Sequence, residues 1–444
     1  MLNNKNNLIK TETIFLFLSL TFGLIFAIVT PQFGVFDGSA HFVKSYDVSN
    51  GHIIPQNVDV VVPDEYETHV YGDFIDTNGD YVVNMSHQSI FSYPPLPYLA
   101  NAFVIKIGEF FNFPPITLIF ICKIVNLLIY ILIVYFAIKI IPILKTTLLL
   151  IALMPTTLFI ASSVSGDSLI FALSFLVIAL FIKLALIKDK MQLKYVYMAI
   201  ISSLALSMTK PSYSLLSLLF FIVPYNKFQS IKHWIITLLG SSLIPLFISM
   251  IWNTLFKYLY PYLEYSFNSY LQTHTYNITY LASNPIKFLD LLINTIIYND
   301  GYIINIILPQ FVSDIGSGTQ IPIFLTYIYL IVLVFVSLYD VCGFKLNLKQ
   351  KLISISVFLI IFLSISVAEL ITWTPIDSNV IWGLQGRYFI PTAPLLLLIF
   401  NNSSLKSSKL EKIREKFNLN VILVLYIVIF LSLSIFFILT NQRF

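Results

Sequence analysis

Charge is what this chain has least of. Asp, Glu, Lys and Arg together make 11% of 444 residues against 57% hydrophobic, with a mean hydropathy of +0.85. A water-soluble surface of ordinary area cannot be built from that, which excludes a soluble globular protein. Cysteine is nearly missing too. Cys122 and Cys342 fall in predicted spans in opposite halves of the chain, which argues against a disulfide framework or a Cys-based metal site. There is no G-x-x-x-x-G-K-[ST] loop, no G-x-G-x-x-G, no H-E-x-x-H and no G-x-S-x-G, so ATP-driven transport and ordinary hydrolase chemistry lose their usual signatures. Ionisable groups inside apolar runs are few: Lys123 and Lys183 lie within them, Asp340 and Glu369 near their ends. An ion-coupled carrier shows such groups in pairs near the midplane, and no pairs are visible. Internal repeats, Gly/Ser linkers and lipidation motifs are missing, and a nucleic-acid partner is not expected.

What is present is a succession of apolar runs. The first, Ile14 to Val29, follows Lys5 and Lys10 and leads into Thr30-Pro31-Gln32 without a small-x-small cleavage site, so it is expected to be an uncleaved span. Ten more run at about 115–138, 146–162, 168–187, 195–209, 212–226, 233–252, 321–342, 352–372, 387–400 and 419–440. The expected fold is therefore an all-α integral membrane protein with about eleven transmembrane helices, residues 1–444 forming one polytopic domain.

Lys and Arg orient it. Lys5/Lys10, Lys139/Lys145, Lys188 to Lys194, Lys227/Lys232, Lys345 to Lys351 and Lys406 to Lys416 fall on one, cytoplasmic, side; only Lys44, Lys106, Lys210, Lys257, Lys287, Arg387 and Arg443 fall on the other. That sorting holds only if Pro94 to Phe111 does not cross the bilayer, so this segment is read as an amphipathic helix along the outer interface. Residues 30–111 then form an extracytoplasmic loop with juxtamembrane helices, and residues 253–320 a second large exterior segment. Loop 1 carries nine Asp or Glu between Pro31 and Tyr93 against the single Lys44. The basic connector Asn401 to Asn420 reads as a positive-inside anchor against anionic headgroups.

Four clusters fall at this outer boundary. Asp37 and His41 in F-D-G-S-A-H-F are four apart, so on a helix they share a face and could share a proton or a cation; alternatively Asp37 N-caps a helix through Ala40, Phe42 and Tyr46. Asp167 in S-V-S-G-D-S-L is an N-cap of the next span, a site residue, or both. Lys210 in T-K-P-S-Y stands outside against the charge trend, either paired with an acidic loop or holding a phosphate. Gln385, Arg387 and Tyr388 open W-G-L-Q-G-R-Y-F-I-P. A guanidinium's planar fork suits a phosphate oxygen pair, and snorkelling to headgroups is the alternative.

The order of these blocks, with S-Y-P-P-L-P-Y and L-M-P-T-T-L-F-I-A-S-S-V-S-G-D-S-L, resembles a bacterial multi-pass family catalogued as domain of unknown function 2142, over about Pro31 to Pro394. That family in turn looks like the GT-C superfamily of membrane glycosyltransferases. The family's loop motif reads P-D-E-P-x-H; Asp37 and His41 match it and Gly38 stands where it has Glu. Some lipid-sugar transferases of the superfamily have Lys directly before P-P-L, where this chain has Tyr93, which leaves the lipid phosphate to Lys210 and Arg387. The resemblance implies transfer of a sugar from a polyprenyl-phosphate donor to a surface polysaccharide, teichoic acid or glycolipid at the outer face of the bacterial plasma membrane. Asp37, His41 and Asp167 would be catalytic, and Lys210, Gln385, Arg387, Tyr388 and Tyr93 would bind substrate. A divalent cation, Mg or Mn, on Asp37 and Asp167 stays open. A lipid-linked glycan flippase or exporter, and a non-catalytic assembly protein, are the rival readings.

Overall fold

A computed structural model describes residues 10–56, 59–63, 74–77, 80–85, 89–186, 192–260, 275–298, 302–316, 321–340, 346–400 and 419–441. Cys342, Lys188, Lys190, Lys345, the basic connector from 401 to 418, and the loop-1 acids Asp64, Glu65, Glu67 and Asp73 lie outside them.

Among the described residues six helices are long and apolar enough to cross a membrane: α1 (Thr11–Val29), α4 (Pro115–Ile140), α7 (Asp167–Leu186), α9 (Ile231–Leu259), α11 (Leu348–Thr372) and Val421–Thr440 within α12 (Leu419–Asn441). Between them lie α2 (Gly38–Ser49), α3 (Leu99–Phe110), α5 (Lys145–Ala152), α6 (Pro155–Ala161), α8 (Leu193–Ser207) and α10 (Ile323–Tyr339). Helix α7 is the pillar. It is apolar on every face, and 78% of its central window is buried against 28–44% for the other five.

The expected helices number about eleven, and three of the apolar runs behind that number are not continuous α-helices. The run at 146–162 is two helices, α5 and α6, parted at Met154-Pro155. Proline has no N–H to continue the ladder and drives the residue before it out of the helical region, and Met154 sits at φ −56°, ψ 141°. Two buried tyrosines donate to carbonyls beside the break, Tyr329 to Leu150 O at 2.7 Å and Tyr130 to Ala152 O at 2.8 Å. The run at 212–226 is a twelve-residue 3₁₀ helix, Pro211–Ile222, and that at 387–400 alternates 3₁₀, α and 3₁₀ turns over Gly386–Phe400. Long 3₁₀ stretches are uncommon because their hydrogen bonds are poorly aligned.

Loop 1 holds more than helices. Strands β1 (Asp59–Pro63), β2 (Phe74–Thr77) and β3 (Asp80–Asn84) form an antiparallel sheet in the order β1-β3-β2, with Val61 opposite Val82 and Ile75 opposite the same residue. Period-two alternation explains β1: Val60 and Val62 are buried while Val61 is 53% exposed. This sheet was not expected from the sequence. It packs with α2, α3 and the turn at Phe91 over a core of Phe42, Val43, Phe91 and Ile105. Lys44, assigned to the outer side, is buried in that core; its Nζ donates to Phe91 O at 3.0 Å and lies over the Phe91 ring. Helix α3, at twelve residues, is too short to cross a bilayer, and it turns Phe103, Ile107 and Phe110 outward while burying Asn101, Ala102 and Ile105.

Candidate functional site

The site begins where α1 ends. Lys123, buried inside α4, directs its ammonium to the terminal carbonyls of α1, donating to Thr30 O at 2.8 Å, Pro31 O at 3.2 Å and Ala27 O at 3.4 Å. A cation at a helix C-terminus satisfies orphan carbonyls and complements the macrodipole. It also fixes the take-off point of the segment that carries Asp37.

Asp37 adopts the left-handed conformation, φ 56°, ψ 21°. For a residue with a Cβ this costs about 1–2 kcal/mol, so something must hold it there. Helix α2 does start at this point, with His41 N donating to Asp37 O at 2.9 Å, but the Asp37 side chain makes no cap. Its carboxylate turns to Arg387, whose Nη2 donates to Oδ2 at 2.6 Å. A charge-assisted bond to a guanidinium outweighs a cap to a neutral N–H, which is why the N-cap expectation fails. Crowding in the site would by itself raise the Asp37 carboxyl. Arg387 and His41 outweigh it and hold the group below the usual carboxylate range.

Arg387 is 2% exposed and is delivered by the second 3₁₀ segment. The residue before it, Gly386, is pressed against another chain segment: a Cβ there would lie 1.9 Å from Ile307 O and 2.7 Å from Phe311 N. Gly386 N also donates to Gln310 Oε1 at 3.0 Å. The guanidinium stacks over Phe36, 4.5 Å from the ring centre, and Nη1 stands 3.9 Å from Asp167 Oδ2, too far for a hydrogen bond. Arg387 Nε and Nη1 are buried without a hydrogen-bond partner among the described residues.

Asp167 opens α7, and its backbone N–H is capped by Ser165 Oγ at 3.2 Å, which leaves its carboxylate for the site. The preceding Gly166 N–H donates to His41 Nδ1 at 3.4 Å, and the Tyr98 hydroxyl lies 3.1 Å from the same nitrogen. A nitrogen that accepts from a backbone N–H carries no proton, so the network assigns a neutral imidazole with its proton on Nε2. Burial points the same way, pulling His41 down to about 4 against the opposing pull of Asp167 and Asp37. His41 and Asp37 share α2's first turn, yet their side chains bond to different partners, His41 to Tyr98 and Gly166 and Asp37 to Arg387.

Lys210 precedes the first 3₁₀ segment. Its ammonium sits over the rings of Tyr388 at 4.1 Å and Tyr93 at 5.3 Å, and no carboxylate pairs with it among the described residues. Tyr213 fixes Tyr388 by donating to its carbonyl at 2.9 Å, and Gln385 Oε1 is buried without a hydrogen-bond partner among the described residues. The eight residues expected from sequence, Arg387 and seven others, thus come from five remote parts of the chain. The sequence reading did not include Tyr98, Phe36, Gln310 or Asp314 in the site. Tyr98 was within sight as the closing residue of P-P-L-P-Y. Asp314, buried and raised by that burial with Arg387 pulling the other way, has no motif around it.

The donor set does not suit a metal between Asp37 and Asp167. Among the described residues no group of three or more His, Cys, Asp or Glu is placed to hold one, and the Arg387 guanidinium, a fixed cation, already stands between the two carboxylates. Beside the cluster lies an entirely apolar cavity of about 440 Å³, lined among others by Ile307, Phe311, Phe358, Phe362 and Phe389. Phe389 shares the 3₁₀ turn of Arg387, and Phe311 packs on Gly386, so cavity and guanidinium are neighbours.

No curated protein and no solved structure matches the chain significantly. A family model does: residues 64–396, most of the chain, match the family described as predicted membrane protein (DUF2142), and the chain belongs to that family.

Proposed function

We propose that this membrane protein is a glycosyltransferase of GT-C type, moving a sugar from a polyprenyl-phosphate donor to a polysaccharide, teichoic acid or glycolipid at the outer face of a bacterial plasma membrane. The observation that carries the reading is Arg387, a buried guanidinium with two nitrogens lacking a hydrogen-bond partner among the described residues, set between Asp37 and Asp167 and beside an apolar cavity of about 440 Å³. A lipid carrying a phosphate needs both halves of that arrangement.

The chemistry follows from the charges. As the bond between the sugar's anomeric carbon and the phosphate oxygen breaks, negative charge grows on the departing phosphate, and Arg387 and Lys210 are the cations placed to stabilise it. The acceptor oxygen forms the new bond and gives its proton to a base. Asp37 is ionised and its side chain is 46% exposed, so an incoming hydroxyl can reach it. Neutral His41 keeps the Tyr98 and Gly166 side of the site in register with Asp167.

The test is the wall-sugar composition of cells carrying Asp37→Asn or Arg387→Ala at verified expression. Loss of one sugar from the surface polymer in both supports the reading. Unchanged composition in both overturns the catalytic assignments. Accumulation of a lipid-linked glycan on the inner leaflet would favour a flippase.

A further inference from the structure

Buried polar atoms without partners cost about 1–3 kcal/mol each, so several together mark a place where a ligand is missing from the hydrogen-bond account. Four of those among the described residues belong to three side chains at this site. Besides Arg387 Nε and Nη1, they are Gln385 Oε1 and Glu369 Oε2. Glu369 comes near the end of α11 and is 7% exposed. The 380s loop is folded down upon it. Gly383, at φ +78°, passes so near that a Cβ would stand 2.5 Å from Oε2, and Tyr302 pins the same loop by donating to Leu384 O. The Glu369 carboxylate lies within electrostatic reach of Lys210, Arg387 and Asp37, yet it forms no ion pair among the described residues.

The unpaired atoms are of two kinds. Arg387 offers donors, which suit phosphate oxygens. Glu369 and Gln385 offer acceptors, which suit hydroxyl hydrogens, and a phosphate ester has none to give. A headgroup that answers both carries an anionic phosphate and a polyhydroxylated ring on the same molecule.

We infer that Glu369 is a specificity-determining residue that, with Gln385 Oε1, accepts hydrogen bonds from ring hydroxyls of the transferred sugar while Arg387 takes the phosphate. This rests on the lipid-phosphate-sugar reading above and adds the residue that tells a sugar-bearing lipid from the bare carrier. Each hydrogen bond to a buried acceptor is worth about 1 kcal/mol net, so two of them suffice for a preference of about tenfold, at about one decade per 1.4 kcal/mol.

Native mass spectrometry of the full-length protein in nanodiscs tests it, with undecaprenyl phosphate and undecaprenyl phosphate carrying glucose, galactose, mannose or N-acetylglucosamine as probes. The wild type is expected to bind at least one sugar-bearing lipid about tenfold or more tighter than the bare lipid phosphate. Glu369→Gln and Glu369→Ala should lose that preference while keeping wild-type affinity for the bare lipid phosphate. A Glu369→Gln variant that keeps the preference overturns the assignment, as does one whose affinity for bare and sugar-bearing lipid falls equally. Arg387→Ala separates the two levels: if it binds bare lipid phosphate as well as the wild type, the underlying phosphate reading fails instead.

Discussion

The Asp37 carboxylate and the Arg387 guanidinium meet at 2.6 Å although 350 residues of chain separate them. Asp37 closes the first crossing's exit and Arg387 opens one of the last apolar segments, so this contact ties the two ends of the membrane domain together at the site.

Removing one partner of the pair should cost more than removing both. Asp37→Ala leaves a buried arginine with no anion in hydrogen-bond contact and is expected to lower stability by about 2–4 kcal/mol. Arg387→Met combined with Asp37→Ala should regain most of that loss and none of the activity. Thermal unfolding in detergent, read as a double-variant cycle, checks the coupling.

Gly386→Ala should damage the site without touching any polar group. The added methyl would meet Ile307 O at 1.9 Å, so the 3₁₀ turn has to shift and carry Arg387 with it. A loss of about 1–3 kcal/mol in stability is expected. A cross-link or ligand-binding readout at Arg387 should fall further than the change in Tm alone would explain.

Acid should weaken the fold through His41. Its folded value of about 4 lies below the ordinary 6.5, so between those two pH values the unfolded chain binds a proton that the folded chain refuses. Stability contributed by the neutral ring is intact above pH 6.5 and is lost as pH falls toward 4, by about 3 kcal/mol in all. His41→Gln keeps an acceptor for Gly166 N–H and cannot be protonated, so its stability profile should be flatter over that window.

Lys44 gives the opposite handle at high pH. Burial lowers it to about 8 from an ordinary 10.5, so its charge is an uncompensated cost below pH 8 that disappears as pH rises toward 10.5. Lys44→Met should therefore be neutral or more stable by about 1–2 kcal/mol at pH 7, with the difference shrinking as the pH is raised. Denaturation midpoints at pH 7 and pH 10 distinguish this from a lysine required for folding.

The site was more legible in the sequence than the fold around it. Asp37, Asp167, Lys210 and Arg387 could be named because a charged residue at the rim of an apolar run has few inexpensive places to go, and charge is readable one residue at a time. What those charges do to each other was not readable. The turn of Asp37 away from its helix cap depends on where Arg387 lies, which is a tertiary fact. The spans at 146–162 and 387–400 were drawn as continuous helices because hydropathy is blind to backbone geometry; Pro155 and Pro391 held the information, and Tyr130 and Tyr329 donate to carbonyls beside the first break from other helices. The loop-1 sheet was hidden for a different reason. Its β1 alternation spans only five residues, inside a stretch where acidity drew the eye.

The 3₁₀ winding of Pro211–Ile222 sets how far apart Lys210 and Ile222 stand. At about 2.0 Å of rise per residue its twelve residues reach about 24 Å, where an α-helix of the same length would reach about 18 Å. The difference of about 6 Å is the length of a lysine side chain, and it is supplied by backbone winding instead of by a longer loop. Lys210, whose ammonium lies over the Tyr93 and Tyr388 rings, is therefore about 6 Å further from Ile222 than α-helical winding would leave it.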